Sequence, residues 1–129
     1  MTEREKPISA SLPAVMALAY LGDARHALYV RELLVRRGMS KSGDLNKAAL
    51  AYVTAEAQAN MYRRIEPMLT EDELGVARRA ANSPHLNRPK HASPADYRSA
   101  TAFEAVVGML HYLGMEQRLG ELLGAAHSE

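Results

Sequence analysis

The sequence predicts an all-α protein, and three observations carry that expectation. Apolar residues make up 47% of the chain and are mostly Ala, Leu, Val and Met, with one Phe and no Trp. Ala, Leu and Met are strong helix formers, and β-branched residues are few. Apolar positions recur at three- and four-residue spacing, the period of a helix with one face on a core. Helix start and stop residues punctuate these stretches, with Ser, Thr or Pro before them and Gly or Pro after them.

A first helix is expected over residues 13–37. Ser11 is placed to cap it, Pro13 suits its first turn, and Val15, Met16, Ala19, Leu28, Leu33 and Leu34 supply the apolar pattern. Gly38 is a natural stop, and Arg31, Arg36 and Arg37 complement the negative end of the helix dipole. The pair Gly22-Asp23 sits in the middle. An interior Gly costs about 1 kcal/mol relative to Ala. Gly22 therefore predicts either close helix packing or a ligand approaching the backbone.

After the polar segment 39–43, Asp44 is expected to cap a short helix reaching Tyr52. Thr54 then caps a helix to Ile65, broken before Pro67. Thr70 with Glu73 forms a capping-box pattern that opens a helix to Ala81. Residues 82–92, NSPHLNRPKHA, hold two prolines, two asparagines and a serine. They read as a long loop, a feature that in compact domains is often functional. Ser93-Pro94 starts the next helix, with Asp96 at a capping-box position, and the run ATAFEAVVGML carries it to near Gly114. A last amphipathic helix covers residues 116–126.

The 129 residues suit one compact domain, with residues 1–10 expected to be a flexible N-terminus. Zero cysteines exclude disulfides and thiolate metal sites. No apolar run approaches the roughly 20 residues that cross a bilayer, and MTEREKPISA lacks the apolar stretch of a secretory signal. A soluble, cytoplasmic protein without membrane association is the expectation. The formal net charge of +1 does not mark a nucleic-acid binder, so the distribution of charge matters more. After Glu71, Asp72 and Glu73 no acid occurs until Asp96, while Arg78, Arg79, His85, Arg88, Lys90 and His91 lie between. Such a cluster can grip phosphates through counterion release. By itself it is better read as a solvated loop with a few basic residues.

Two carboxylates stand out by their surroundings. Glu104 lies inside the apolar run 100–110, and Asp23 lies in the apolar first helix. Burying an ionised carboxylate is expensive unless it is paired or bound to a cation. Two such acids on separate helices can hold one Mg²⁺, which keeps several waters and needs only one or two protein carboxylates. The alternatives are that Asp23 faces solvent and that Glu104 pairs with an arginine such as Arg98 or Arg25. The histidines (His26, His85, His91, His111, His127) form no pair at metal-ligand spacing on one helix face. No Gly-rich phosphate loop or nucleophile elbow is present. The seven methionines read as core filler.

Residues 18–31, LAYLGDARHALYVR, resemble the signature helix of ribonuclease III nuclease domains, whose common form reads LEFLGD. Residues 97–108, YRSATAFEAVVG, resemble the family's second acidic motif, a Glu-Ala pair before a short aliphatic-Gly run. Residues 52–61 (YVTAEAQANM), 77–82 (ARRAAN), and Pro89-Lys90 leading into Tyr97-Arg98 are similar to one subfamily, Mini-ribonuclease III. That subfamily has a nuclease domain of this length and lacks a separate double-stranded-RNA-binding domain. The resemblance spans residues 12–123.

It implies an all-helical homodimer that binds double-stranded RNA across both subunits. Each subunit would cut one strand by Mg²⁺-assisted hydrolysis, with Mn²⁺ as a substitute, leaving a 5′-phosphate and a 3′-hydroxyl. The implied substrate is a stem in the precursor of large-subunit (23S) ribosomal RNA. The family's metal-binding and catalytic acids carry over to Asp23 and Glu104. RNA contacts are expected from Arg78, Arg79, Asn82, Arg88 and Lys90, with His85, Tyr97 and Arg98 as further candidates, since duplex RNA is read mainly through its backbone and 2′-hydroxyls. Arg98 is also a candidate for organising the site from Glu104's own helix.

Three departures accompany the resemblance. The acid of LEFLGD is Ala19 here, and the acid that many full-length relatives carry one turn before the second Glu is Thr101. The subfamily shares both losses, so they do not imply a dead enzyme, but the number of cations per subunit stays open. Arg25-His26-Ala27 replaces the subfamily's usual Val-Tyr-Glu, with no consequence legible in sequence. Two other readings compete with a nuclease: a non-catalytic RNA-binding module on the same fold, and a purely structural helical dimer. Retention of Asp23 and Glu104 argues against the first of these.

Overall fold

Residues 12–84 and 91–128 are described by this computed structural model. They form α1 (Val15–Arg36), α2 (Ser42–Val53), α3 (Ala55–Ile65), a 3-10 turn (Glu66–Met68), α4 (Glu71–Ala81), α5 (Pro94–Tyr112) and α6 (Glu116–Ala126). No strand occurs among the described residues, as the all-α expectation requires. None of the described helices is long and apolar enough to cross a membrane.

The centre of the fold is α5. Every residue from Ala100 to Leu110 is buried except Glu104, which is partly buried. A helix that is apolar on all sides must be surrounded, and α5 packs against α1, α3, α4 and α6. Phe103 and Leu110 meet Leu18 of α1, Ile65 of α3, Val76 of α4 and Leu119, Leu122 and Leu123 of α6 in one core. By contrast, α2 buries no residue fully and packs mainly on α1 and α3.

The expected caps at Thr54, Thr70 and Ser93 form. The Thr54 hydroxyl accepts the Ala57 N–H at 3.2 Å. Thr70 accepts from the Glu73 N–H at 3.2 Å while Glu73 accepts from the Thr70 N–H at 2.9 Å, completing the capping box. Ser93 accepts the Asp96 N–H at 3.0 Å. The Asp96 carboxylate turns instead to Arg63 of α3 at 2.8 Å. α1 and α5 end in Schellman turns, in which Gly38 (φ 91°) and Gly114 (φ 71°) take the left-handed conformation. There the Met39 N–H reaches the Leu34 carbonyl at 3.2 Å, and the Met115 N–H reaches the Leu110 carbonyl at 2.9 Å.

Several expectations need correction. α1 begins at Val15 with Ala14 at the cap position and no side-chain cap; Ser11 and residues 1–10 lie outside the described residues. α2 starts at Ser42, so Asp44 does not cap it but lies in its first turn, where its charge still suits the positive end of the dipole. Met16 and Leu28, expected in the core, are 39% and 49% exposed. The apolar period of α1 is two-sided: Leu18, Val30 and Leu34 face inward, while Met16, Tyr20, Leu28 and Val35 face outward. A four-residue period cannot say which of two apolar stripes meets the core.

α6 is tied down by Arg118. It donates to both Glu73 oxygens, at 2.9 and 2.8 Å, and to the Met68 carbonyl at 2.8 Å. Glu73 is buried. Burial pushes its carboxyl upward, but the hydrogen bonds from Arg118 and Thr70 outweigh this and hold it below the ordinary carboxylate range.

Candidate metal-binding site

The site begins with two glycines. α1 and α5 cross so closely that a Cβ on Gly22 would stand 1.7 Å from the Glu104 carbonyl oxygen and 2.8 Å from the Gly108 nitrogen. A Cβ on Gly108 would stand 1.8 Å from the Leu18 carbonyl oxygen. The two backbones touch, and neither helix can carry a side chain there. Of the two readings that Gly22 allowed, helix packing is the one observed. The crossing brings Asp23, the next residue, to the Glu104 side chain.

Two side chains act on the Glu104 carboxyl, Asp23 of α1 and Gln58 of α3. The two acids differ in surroundings: Asp23 is exposed, not buried as its apolar helix suggested, and Glu104 is partly buried. Burial, then the hydrogen bond and charge of Asp23, push the Glu104 carboxyl up to about 9, while the Gln58 hydrogen bond pulls the other way. Neither arginine alternative occurs. Arg25 pairs with Glu116 at 3.5 Å, and the exposed Arg98 makes no ion pair with Glu104.

These residues fit a hard divalent cation. Two adjoining carboxylates, one of them strained toward protonation by burial and by its neighbour's charge, lack only a positive partner. Among the described residues no third His, Cys, Asp or Glu joins them in a cluster. The positions of the two missing acids are filled by small buried side chains, Ala19 and Thr101. The Thr101 hydroxyl donates to the Tyr97 carbonyl at 2.8 Å.

Sequence reasoning missed the residues behind Glu104. Gln58 is buried in α3, and its amide nitrogen lies 3.2 Å from His26 Nδ1. His26 is 0% exposed, and its Nε2 lies 2.9 Å from His127 Nε2. The His26 ring stands edge-on to Phe103, centroids 5.0 Å apart. Burial and then the His127 charge lower His26 to about 3. Burial and then the charges of Arg64 and Arg37 lower His127 to about 4. Both rings are therefore neutral near pH 7. The unusual Arg25-His26-Ala27 segment now has a partial account: Arg25 reaches α6 and His26 enters the core, while nothing in the structure explains Ala27.

The basic candidates stand apart from this pair. Arg78 and Arg79 are exposed in the last turn of α4, and Asn82, also exposed, is its C-cap. Arg79 folds back over its own helix, 3.6 Å from where a Gly75 Cβ would sit. Arg98 is exposed and Tyr97 partly buried at the start of α5. No hydrogen bond or ion pair joins Arg78, Arg79, Asn82 or Arg98 to either carboxylate. His85, Arg88 and Lys90 lie outside the described residues.

Comparison with known proteins places the chain in a family. Residues 16–114 match the ribonuclease III domain family. The chain is 47% identical over 111 residues to a Mini-ribonuclease 3 of Symbiobacterium thermophilum, covering 86% of this chain and 85% of that protein. It is 40% identical over 126 residues to a Mini-ribonuclease 3 of Brevibacillus brevis, covering 98% and 94%. A crystal structure of a Fusobacterium nucleatum protein superposes with a TM-score of 0.78 at 30% identity, over 86% of this chain and 88% of that one. The chain thus belongs to the ribonuclease III family of endoribonucleases, in its Mini-ribonuclease 3 branch.

Proposed function

We propose that this protein cleaves double-stranded RNA by Mg²⁺-assisted phosphodiester hydrolysis, leaving a 5′-phosphate and a 3′-hydroxyl, with Asp23 and Glu104 holding the cation. One observation carries the reading: carboxylates from α1 and α5 adjoin where the two backbones touch, and Glu104 is driven toward protonation for want of a positive partner. When bound, such a cation ionises a water and neutralises charge on the phosphate. Everything else is the work of the chain. The Gly22–Gly108 crossing sets the separation of the carboxylates, exposed Asp23 meets solvent and substrate, and Glu104 is backed by Gln58. Mn²⁺, another hard cation, is expected to substitute.

Arg78, Arg79 and Asn82 are exposed at the end of α4 and suit contacts to RNA phosphates and 2′-hydroxyls; Arg88, Lys90 and His85 extend this set by sequence, and Arg98 and Tyr97 flank it. A homodimer completes the reading. α1 presents Tyr20 (84% exposed), Val35 (59%), Leu28 (49%) and Met16 (39%) outward, and large apolar residues aligned on one helix mark an association surface. Asp23 lies on that same helix, so pairing there sets two sites on one duplex. The substrate is a helical stem, with the large-subunit ribosomal RNA precursor as the natural one.

The test is cleavage of a structured duplex RNA with Mg²⁺. Asp23→Asn and Glu104→Gln abolish cutting while circular dichroism shows the helices intact. Full activity in either variant refutes the site. Wild-type protein that binds duplex RNA yet never cuts it with Mg²⁺ or Mn²⁺ is instead a non-catalytic RNA-binding module.

A further inference from the structure

Where α2, α3 and the residues after α6 meet, the fold leaves a cavity of about 190 Å³. Tyr52 of α2, Asn60 and Arg64 of α3, and His127 and Ser128 line it. No Asp or Glu does, so neither carboxylate of the proposed metal site takes part. Arg37, at the C-terminal end of α1, reaches the same place by donating to the Tyr52 hydroxyl at 3.1 Å.

Two guanidiniums thus stand at one cavity, both exposed to an incoming ligand. The neighbouring Arg63 is neutralised by Asp96 at 2.8 Å. Arg37 and Arg64 are not: among the described residues neither makes an ion pair. Arg64 donates to the Ala126 carbonyl at 2.7 Å, which suits the negative end of α6. That bond uses one of the five N–H groups a guanidinium carries. Capping accounts for the single bond, not for two unneutralised charges at an acid-free cavity. Their field reaches the cavity wall, where burial and then the charges of Arg64 and Arg37 lower His127.

The neutral groups are also turned to donate. Asn60 Oδ1 accepts from Arg63 at 2.7 Å, which orients the amide and leaves its NH₂ for a ligand. The Tyr52 hydroxyl accepts from Arg37, so its own proton is left to give.

We propose that this cavity is a binding site for a phosphate group, held by Arg64 and Arg37 with the Tyr52 hydroxyl and the Asn60 amide. Its size limits what comes with the phosphate. Drug-sized ligands occupy about 300 Å³ or more, so the cavity takes a phosphate with little attached. Arginine forks match phosphate oxygens two at a time, and an anion between them relieves the repulsion of two like charges. The group is either free inorganic phosphate or a phosphate of an RNA strand. The RNA contacts proposed above lie on α4 and α5, so an RNA phosphate here extends the bound surface to α2 and α3. An anion at this place also ties α2, which buries no residue fully, to α3 and the C-terminal residues.

The experiment titrates inorganic phosphate into the full chain at constant ionic strength, with chloride as the balancing anion. Binding is followed by ¹H–¹⁵N NMR and by thermal unfolding. Two charge-assisted partners give a midpoint of about 1 mM. The amides of residues 126–128 and the Asn60 side chain are expected to shift with that midpoint, and the melting temperature to rise with phosphate but not with chloride. Arg64→Met and Arg37→Met each weaken binding about tenfold. Arg31→Met, the same loss of charge elsewhere on α1, leaves the midpoint in place. Arg37→Met stands alone should Arg64→Met, which also frees the Ala126 carbonyl, fail to fold. Fluorescence anisotropy of duplex RNA, measured in chelator, separates the two sources. A tenfold loss of RNA affinity in the variants assigns the site to an RNA phosphate, and unchanged affinity assigns it to the free anion. Absence of shifts at about 20 mM phosphate, shifts that chloride reproduces, or a midpoint that both variants keep overturns the proposal.

Discussion

Replacing Gly22 by Ala sets two physical effects against each other, and their signs differ. Viewed as a helix position, Gly22→Ala should stabilise by about 1 kcal/mol, because Ala restricts the unfolded chain and favours the helix. In the fold the new methyl would lie 1.7 Å from the Glu104 carbonyl oxygen, whereas such a contact needs about 3.3 Å. The obstacle is backbone on a central helix, so no flexible side chain can move aside, and α1 must part from α5 by about 1.5 Å. Overpacking of this kind costs typically about 1–3 kcal/mol, occasionally more. With rigid backbone on both sides the upper end applies, and after the helix gain about 2 kcal/mol of destabilisation remains. For a chain of this size that lowers the melting temperature by roughly 6–10 °C.

Function should suffer more than stability. Misplacing a reacting group by about 1 Å can cost about 100-fold in rate, and the same displacement draws Asp23 from Glu104. Thermal unfolding by circular dichroism and cleavage of a duplex RNA are the assays. Gly120→Ala and Gly124→Ala provide the matched control: both positions lie in α6, and a Cβ at either meets nothing within 4 Å. They should raise the melting temperature, a shift of opposite sign from the same chemical change. A Gly22→Ala protein that melts at or above the wild type and cuts at the wild-type rate refutes the backbone-contact account of the site.

Further outcomes follow from other parts of the molecule. The Glu104 carboxyl, pushed up to about 9 from an ordinary 4.5, keeps its proton in the folded protein where the unfolded chain has lost it. The folded state then binds more protons between those values, so this group's contribution is full below pH 4.5 and declines as pH rises toward 9. In chelator, Glu104→Gln should outlast the wild type at pH 8 and converge with it near pH 4.5; parallel melting curves across that range would be the wrong result. Arg118→Met leaves the Glu73 carboxylate buried with only its Thr70 cap, and removing one partner of a buried pair costs about 3 kcal/mol. Calorimetry checks this, and a loss under about 0.5 kcal/mol, the level of an ordinary surface change, would show the pair to be dispensable. Tyr20→Glu places a charge on the outward face of α1 and should convert the proposed dimer to monomers in light scattering, while an unchanged mass would locate the interface elsewhere.

The helices and most of their ends were legible in sequence because the determinants are local. A cap at Thr54, Thr70 or Ser93 acts on a backbone N–H three residues away, and Gly38 and Gly114 stop helices through their own left-handed backbone. The centrality of α5 was legible too, since its run from Ala100 to Leu110 leaves no polar face to offer water. Glu104 stood out against that run, and the motifs around it and Asp23 suggested their family.

What the tertiary structure alone decided concerns partners distant in sequence. A missing side chain at Gly22 cannot announce which backbone fills its place, and Asp23 lies in an apolar helix yet faces solvent because α1 carries a second apolar stripe on its outward side. His26 and His127 are 101 positions apart, and Gln58 reaches Glu104 from a third helix. Metal-ligand spacing on one helix face has no means of finding such an arrangement. The sequence by itself determined which segments become helices and which two acids are out of place among apolar neighbours. The approach of α1 to α5, set by backbone contact at two glycines, decided that those acids meet.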